Sequence, residues 1–435
     1  MKQILKSRDD VEPVILINEK DGTFRLEEGC SCPWVNMNDE IDVTAIRTRI
    51  EPWLTALFQS DHLSLLIGSG LTHAIYKLAT GTNLPGMNAA KFSVFNEQIE
   101  QASMVSAERS GRGKPNIEDQ IRVANELLIG LQHYSCSSAK VYGVKKLAKD
   151  IDKLNKELRR IMKEFAESIL NGEKGLAIAA EEKRESAFIN LVSFLMSFAS
   201  RSGTRDRLNI FTTNYDRIIE TGAELAGLFL LDRFIGNVFP IFRSSRLDID
   251  MHYNPPGIRG EPRYLEGVAH FTKLHGSVDW INIGRDIRRF GLPFGATDLT
   301  PFLEAPGLKG ANVLQLMIYP NSVKDRETAA YPYVELFRDF AVEICRPNHT
   351  LVTYGYGFGD EHINRVIEDM LTIPSTHLVV ISRDDNSGRI MKLYKKMKRQ
   401  VQCTLMIGDH LGDLSSLVNN YLPKPAIDRT TSRMP

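Results

Sequence analysis

At 435 residues the chain is long enough for one large domain or two ordinary ones, and for a core that needs no staples. Its 54 lysines and arginines balance 54 aspartates and glutamates, so no global field recruits nucleic acid or an anionic membrane, and direct nucleic-acid binding is not indicated. The five cysteines (Cys30, Cys32, Cys136, Cys345, Cys403) contain no Cys-x-x-Cys pair, the polar Met1–Asp10 stretch is not expected to be a signal peptide, and the apolar runs fall far short of the ~18 residues of a membrane span, so a cytoplasmic protein without a membrane partner is expected.

Along the chain, Val14–Ile17 and Thr23–Leu26 flank Asp21-Gly22, a dipeptide suited to a hairpin turn, and predict a β-hairpin appendage over residues 1–45. From Asp42 a helical spacing (Ile46, Ile50, Trp53, Leu54, Leu57) runs into a short apolar strand, Leu63–Ile67, that stops at Gly68-Ser69-Gly70. Residues 93–202 read as a helical insertion, in which Asn116 is a plausible N-cap for the segment holding Ile121, Ala124, Leu127 and Leu128. Val144, Leu147, Ile151, Leu154, Leu158, Ile161 and Phe165 then predict one long amphipathic helix, whose apolar seam suits packing on its own domain or self-association over 144–169.

Beyond residue 205 the pattern changes to short apolar runs at Leu208–Thr213, Phe271–Leu274, Leu314–Ile318, Thr350–Tyr354, His377–Ile381 and Cys403–Ile407. Helical stretches at Phe188–Phe198, Tyr333–Ile344, Asp360–Leu371 and Gly388–Met397 alternate with several of them. Such alternation predicts an α/β fold with a doubly wound, largely parallel, Rossmann-like sheet, built from residues 46–92 and 203–415. Residues 242–263 and 284–310, rich in Arg, Pro and Gly, read as loops, and 416–435 as a C-terminal tail. Asp409, His410 and Asp413 match no common metal-ligand spacing and read as a solvated turn.

In an open parallel sheet ligands bind beyond the carboxyl ends of the strands, so the polar residues after each apolar run are the ones to inspect. Gly68-Ser69-Gly70-Leu71-Thr72 suits close backbone approach to a diphosphate, with Thr72 adding a hydroxyl, and equally suits a structural turn; no Gly-Lys-Ser/Thr follows, so it is no P-loop. Thr212-Thr213-Asn214-Tyr215-Asp216 delivers two hydroxyls, an amide and a carboxylate, although Asn214 and Asp216 also suit capping of the next helix. His275, in Leu274-His275-Gly276, suits a structural or a catalytic imidazole. Two further ends, Tyr354-Gly355-Tyr356-Gly357-Phe358-Gly359 and Ile381-Ser382-Arg383, suggest one extended ligand.

At these residues the sequence resembles the sirtuins, and within them the sirtuin-like NAD hydrolases of bacterial antiphage defence. The resemblance covers roughly residues 60–90 and 205–410. Gly68-Ser69-Gly70-Leu71-Thr72 resembles the family's Gly-Ala-Gly-x-Ser, with Ser for Ala and Thr for Ser. Thr212 or Thr213, Asn214 and Asp216 follow its Thr-x-Asn-x-Asp, and Leu274, His275 and Gly276 its Leu-His-Gly. The resemblance implies NAD as substrate: Gly68, Ser69, Gly70, Thr72 and Thr213 around the diphosphate and ribose, and Gly355, Gly357, Phe358 and Ser382 on the adenosine side. Asp216 would take the nicotinamide carboxamide, Asn214 would hold the ribose and orient water, and His275 would act as general base, a task suited to an imidazole.

Deacylating sirtuins carry two Cys-x-x-Cys pairs that hold a structural zinc. This chain has neither, so no zinc is expected, and the helical insertion stands where the family has its small zinc module. These departures favour water as acceptor: an NAD glycohydrolase releasing nicotinamide and ADP-ribose. NAD-dependent protein deacylation or ADP-ribosyl transfer is one alternative, and a non-catalytic NAD or ADP-ribose sensor another. The resemblance also implies NAD depletion in antiphage defence, a homo-oligomer, and a HerA-like hexameric ATPase or another sensor as partner.

Overall fold

A computed structural model describes residues 2–7, 10–19, 22–30, 32–35, 40–85, 89–109, 114–136, 144–199, 206–244, 250–253, 263–305, 307–308, 311–317 and 331–424. Its strands are β1 (Lys2–Lys6), β2 (Val14–Asn18), β3 (Thr23–Leu26), β4 (Ile41–Asp42), β5 (His62–Ile67), β6 (Leu208–Thr212), β7 (Phe229–Leu231), β8 (Phe234–Ile235), β9 (Ile241–Phe242), β10 (His252–Tyr253), β11 (Arg263–Tyr264), β12 (Val268–Lys273), β13 (Trp280–Ile283), β14 (Asp286–Arg289), β15 (His349–Tyr354), β16 (His377–Ser382) and β17 (Cys403–Ile407). The helices that matter to the site are α1 (Val43–Phe58), α2 (Ser69–Thr80), α3 (Asn96–Arg109), α4 (Ile117–Cys136), α5 (Val144–Ala177), α6 (Glu181–Ala199), α7 (Ile218–Ala226), α8 (Thr300–Leu303), α9 (Tyr333–Ile344), α10 (Glu361–Met370) and α11 (Arg389–Met397).

The main sheet has 11 strands in the order β4-β3-β2-β1-β17-β16-β15-β5-β6-β12-β7. From β17 to β7 every neighbouring pair is parallel. This is the α/β, doubly wound, largely parallel architecture expected of the strand-helix alternation. The period-2 alternation of a strand divides its side chains between two cores. Leu63, Leu65 and Ile67 of β5 face one core with α1, α2, α6 and α7, and Leu66 faces the other with α9, α10 and α11. After β5 the chain builds outward through β6 and β12, then returns to lay β15 on the other side of β5. The topological switch point, where α/β sheets bind ligands, therefore lies at the carboxyl ends of β5, β6 and β15.

The hairpin expected over residues 1–45 is present as β2 and β3, but it is not an appendage. β1, in a segment read as merely polar, pairs antiparallel with β17 on one side and β2 on the other, and Leu5, Val14, Leu16 and Phe24 join the main core. Leu314–Ile318 also departs from expectation. Asn312 accepts from Leu314 N at 3.0 Å while its own N–H donates to Gln315 at 2.8 Å, a reciprocal cap that winds Val313–Gln315 into a 3-10 turn. Among the described residues there, Leu316 alone bridges to Ile281. The segment read as a tail from residue 416 starts as core: Leu417, Tyr421 and Leu422 are buried there. Asp21, Ile318 and residues 425–435 lie outside the described residues.

The turn holding Asp409, His410 and Asp413 fastens this last segment rather than standing solvated. Asp409 accepts from Gln3 and Asn18, His410 Nε2 lies 2.8 Å from the Tyr421 hydroxyl, and Asp413 caps Ser416 N at 3.1 Å. Among the described residues no group of three or more His, Cys, Asp or Glu side chains is arranged to hold a metal, and no helix is long and apolar enough to cross a membrane.

Of the helices in the insertion expected over residues 93–202, α3, α4 and α5 form it, whereas α6 packs into the main core through Leu191, Phe194, Leu195 and Phe198. Asn116 caps α4 as expected, accepting from Asp119 N at 3.0 Å while its own N–H donates to Asp119 at 3.1 Å. The seam of α5 is spent within the chain: Leu154, Leu158, Ile161, Met162, Phe165 and Leu170 are all buried in a third core shared with α4 and with Tyr215, Val278 and Phe290. From Leu154 to Leu170 that face packs on its own domain.

Candidate active site

The loop after β5 and the loop after β15 are interlocked through glycine. Gly68 N donates to Tyr354 O and Gly70 N to Gly355 O, each at 3.0 Å. A Cβ on Gly70 would lie 2.5 Å from Gly355 Cα, and one on Gly355, itself at φ +60°, 2.6 Å from Gly70 Cα. The glycines are thus needed by each other, and the N–H groups of Gly68 and Gly70 serve this contact. What the loop turns toward the site is Ser69 and Thr72, at the start of α2.

β6 ends one register step away. Thr212 Oγ1 donates to Ile67 O at 3.0 Å and accepts from Asn214 N at 3.0 Å, which swings the chain out of the sheet. Asn214 is buried, and both its amide hydrogens are used: Nδ2 donates to Gly68 O at 3.0 Å and to Thr72 Oγ1 at 3.1 Å. Thr72 in turn donates to Asp216 Oδ2 at 2.7 Å, and Asp216 Oδ1 accepts from Ile218 N at 3.2 Å. With its donors spent, Asn214 can only accept through its carbonyl oxygen. Asp216 does brace the start of α7, as its capping reading required, while its carboxylate also belongs to this network.

β12 holds the turn from behind. The buried Lys273 donates through Nζ to the carbonyls of Tyr215 and Asp216 and pairs with Glu220 at 2.9 Å; burial pushes the Glu220 carboxyl up against that pairing. Ser277 Oγ and Val278 N also donate to Tyr215 O, at 3.2 and 3.0 Å. Between them stands His275, half-buried, its ring 5.9 Å from that of His362 and 6.4 Å from Phe337. Gly276 follows at φ +88°, and a Cβ there would lie 2.0 Å from Met317 O, so no other residue fits this turn.

One cavity of about 320 Å³ gathers Ser69, Thr72, Thr213, Asn214, Asp216 and His275. That is the lower end of the usual range for small-molecule pockets and suits part of a dinucleotide. Gly355, Gly357, Phe358 and Ser382 do not line it. Phe358 is buried against Tyr356, and Ser382 Oγ donates to Asp384 O at 2.8 Å, closing its own turn. Arg389 stands beside Gly357 and Gly359 on that rim.

The insertion completes the wall with residues that the strand-end reading did not single out as site residues: Asn116 capping α4, Glu118 from α4, and Ser168, Gly172 and Glu173 from α5. Glu173 is buried and paired with Arg217, accepting from its backbone N at 2.8 Å and from its guanidinium; Arg217 also donates to the carbonyls of Leu292 and Pro293. Burial pushes the Glu173 carboxyl above its ordinary range despite that partner. Burial likewise lifts the Tyr215 phenol well above its usual value, with Glu118 beside it adding to the rise. No local pattern announces these pairings, which join distant parts of the chain.

No curated protein matches the chain. Residues 208–402 match the family described as SIR2-like domain, a stretch from β6 to the turn before β17 that contains Asn214, Asp216 and His275 but not Gly68-Ser69-Gly70. The match supports a sirtuin-like family and suggests, in general, an NAD-related activity.

Proposed function

We propose that the protein hydrolyses NAD to nicotinamide and ADP-ribose. The observation that carries this reading is the meeting of Thr72, Asn214, Asp216 and His275, from three different strand ends, on one cavity within a sirtuin-like fold. Water would attack C1′ of the nicotinamide ribose as the C1′–N bond breaks; the bonding pair returns to the ring nitrogen, releasing neutral nicotinamide, and one proton of the water leaves. The barrier falls if the developing oxocarbenium charge and the carboxamide are held in place before reaction.

Each residue has a chemistry that suits such a role. Asp216 accepts from the carboxamide, Asn214 accepts through its carbonyl oxygen from a ribose hydroxyl or the attacking water, and His275 takes the proton. Walls supplied by α4 and α5 favour water over a long peptide as acceptor. The setting we attach, NAD depletion in antiphage defence by a homo-oligomer with a HerA-like ATPase, rests on the sequence resemblance.

Purified protein incubated with NAD is expected to release nicotinamide, measured by chromatography, and Asn214→Ala and His275→Ala are each expected to lose about 100-fold or more in rate. Unchanged rates in both variants would sink the mechanism. Release that required an acylated peptide would move the reading to transfer.

A further inference from the structure

We infer that Gly172 of α5 makes room for the nicotinamide ring and sets how large a base the site takes. This rests on the reading that Asp216 receives the nicotinamide carboxamide. Glycine inside a helix weakens it relative to alanine, so a glycine within the 34-residue α5 calls for a local cause. The helix holds two, Gly172 and Gly175, and they answer to different neighbours. A Cβ on Gly175 would lie 2.8 Å from the Tyr76 ring and 2.9 Å from its hydroxyl, so α5 needs this glycine to pack on α2. A Cβ on Gly172 would meet Leu84 Cδ1 at 3.1 Å, the far end of a flexible side chain that can give way by a few tenths of an ångström. Packing therefore forbids a side chain at 175 but not at 172.

Gly172 and Leu84 both line the cavity of about 320 Å³, so a side chain at 172 would take its room from the ligand. Which part of the ligand follows from the next residue. Glu173 accepts from Arg217 N at 2.8 Å and pairs with its guanidinium, and Arg217 directly follows Asp216. That pairing registers Gly172 on the wall beside Asp216, and the role assigned to Asp216 puts the base of the dinucleotide there. Alanine at 172 would narrow the gap between α5 and Leu84, and a larger side chain would close it.

The test is calorimetric titration of the full-length wild type, Gly172→Ala and Gly172→Leu with two probes: carba-NAD, a non-cleavable analogue that keeps the nicotinamide ring, and ADP-ribose, which lacks it. Alanine favours helix, so the melting temperature of Gly172→Ala is expected to stay equal or rise by about 1–2 °C. Carba-NAD affinity should fall on the order of tenfold in Gly172→Ala, about 1.4 kcal/mol and the scale of one carbon too many in a filled site, and by more than about 100-fold in Gly172→Leu. ADP-ribose affinity should stay within about twofold in both. Trimming the other side of the gap, in Gly172→Ala/Leu84→Ala, should return carba-NAD binding to within about threefold of wild type. Carba-NAD binding unchanged in both single variants, or a loss that the second change leaves in place, overturns the assignment. So does a lowered melting temperature in Gly172→Ala, which marks a glycine kept for packing, and so does an equal loss of ADP-ribose, which places Gly172 away from the base. A graded and rescued loss in a protein that never releases nicotinamide sinks the hydrolase reading and leaves Gly172 standing, and turnover with Gly172-independent binding does the reverse. Failure of both probes to bind overturns both.

Discussion

The buried pair Glu173–Arg217 ties the insertion to the residue that follows Asp216, and it yields a prediction with a sign. Glu173 is 1% exposed and Arg217 8%. Glu173→Gln keeps the shape but turns a donor toward the guanidinium and leaves its charge buried without a counterion, which costs about 3–5 kcal/mol. Arg217→Met abandons the Glu173 carboxyl and also the carbonyls of Leu292 and Pro293, at about 1 kcal/mol for each acceptor on top of a similar pair loss. Burial outweighs the pull of Arg217 on Glu173, while Glu173, Asp279 and Glu220 together outweigh burial at Arg217, so attraction and desolvation roughly offset each other across the pair.

Removing both charges together, in Glu173→Leu/Arg217→Met, is therefore expected to cost only the about 2 kcal/mol of the two stranded carbonyls, far less than the sum of the single variants. Urea unfolding of the wild type, both singles (Glu173→Leu and Arg217→Met) and the double, followed by circular dichroism and tryptophan emission, gives the cycle wherever the two probes coincide. A coupling of at least about 2 kcal/mol is the expected result; single effects that add to within about 0.5 kcal/mol would refute the reasoning.

Gly70→Ala places a methyl 2.5 Å from Gly355 Cα and should lower stability by about 1–3 kcal/mol, whereas Gly130→Ala, with nothing within 4 Å on the exposed side of α4, should be neutral or raise it by up to about 1 kcal/mol; equal melting shifts would contradict the interlock. Burial, aided by Lys6, pushes His377 down to about 4 from 6.5. A base depressed in the folded state is stabilising when neutral, so stability should rise by about 3 kcal/mol between pH 4 and 6.5, and His377→Gln should flatten that slope in urea midpoints taken across the range. Burial also lifts the Cys403 thiol to about 12, so iodoacetamide at pH 8 should label the exposed Cys136 and spare Cys403 until the chain unfolds; mass spectrometry showing equal labelling would count against it.

Strands buried on both faces were legible because no charged residue interrupts them, only small hydroxyls such as Ser64, Thr353 and Thr404: β5, β15, β16 and β17 stand in the structure within one residue of their apolar runs. β1 was not, because its polar residues are buried with long-range partners. Lys6 Nζ donates to Cys403 O at 3.1 Å, and Gln3 accepts from the backbone of His410 and Leu411. A buried lysine or glutamine matched from the far end of the chain looks, in sequence, like a solvated one. The same blindness hid Lys273 and Glu173. The strand-end motifs were legible for the opposite reason: a run of hydroxyl, amide and carboxylate directly after a buried strand is costly wherever it lacks partners, and so stands out locally.

The segment after β6 shows why insertion and sheet form one site. Its side chains alternate: Asn214 and Asp216 turn to Thr72 and the α2 loop, while Tyr215 and Arg217 turn to Glu118 and Glu173 of the insertion. Phe165 of α5 also meets Tyr215 edge-on at 6.0 Å. An extended stretch can present two faces at once, so each residue that reaches the cavity network is flanked by one anchored in α4 or α5. A shift of α5 against the sheet would move Arg217 and Tyr215, and with them the backbone that sets Asn214 and Asp216. Interlocked glycines fix the opposite wall, which leaves the insertion as the side from which the geometry of this site can be tuned.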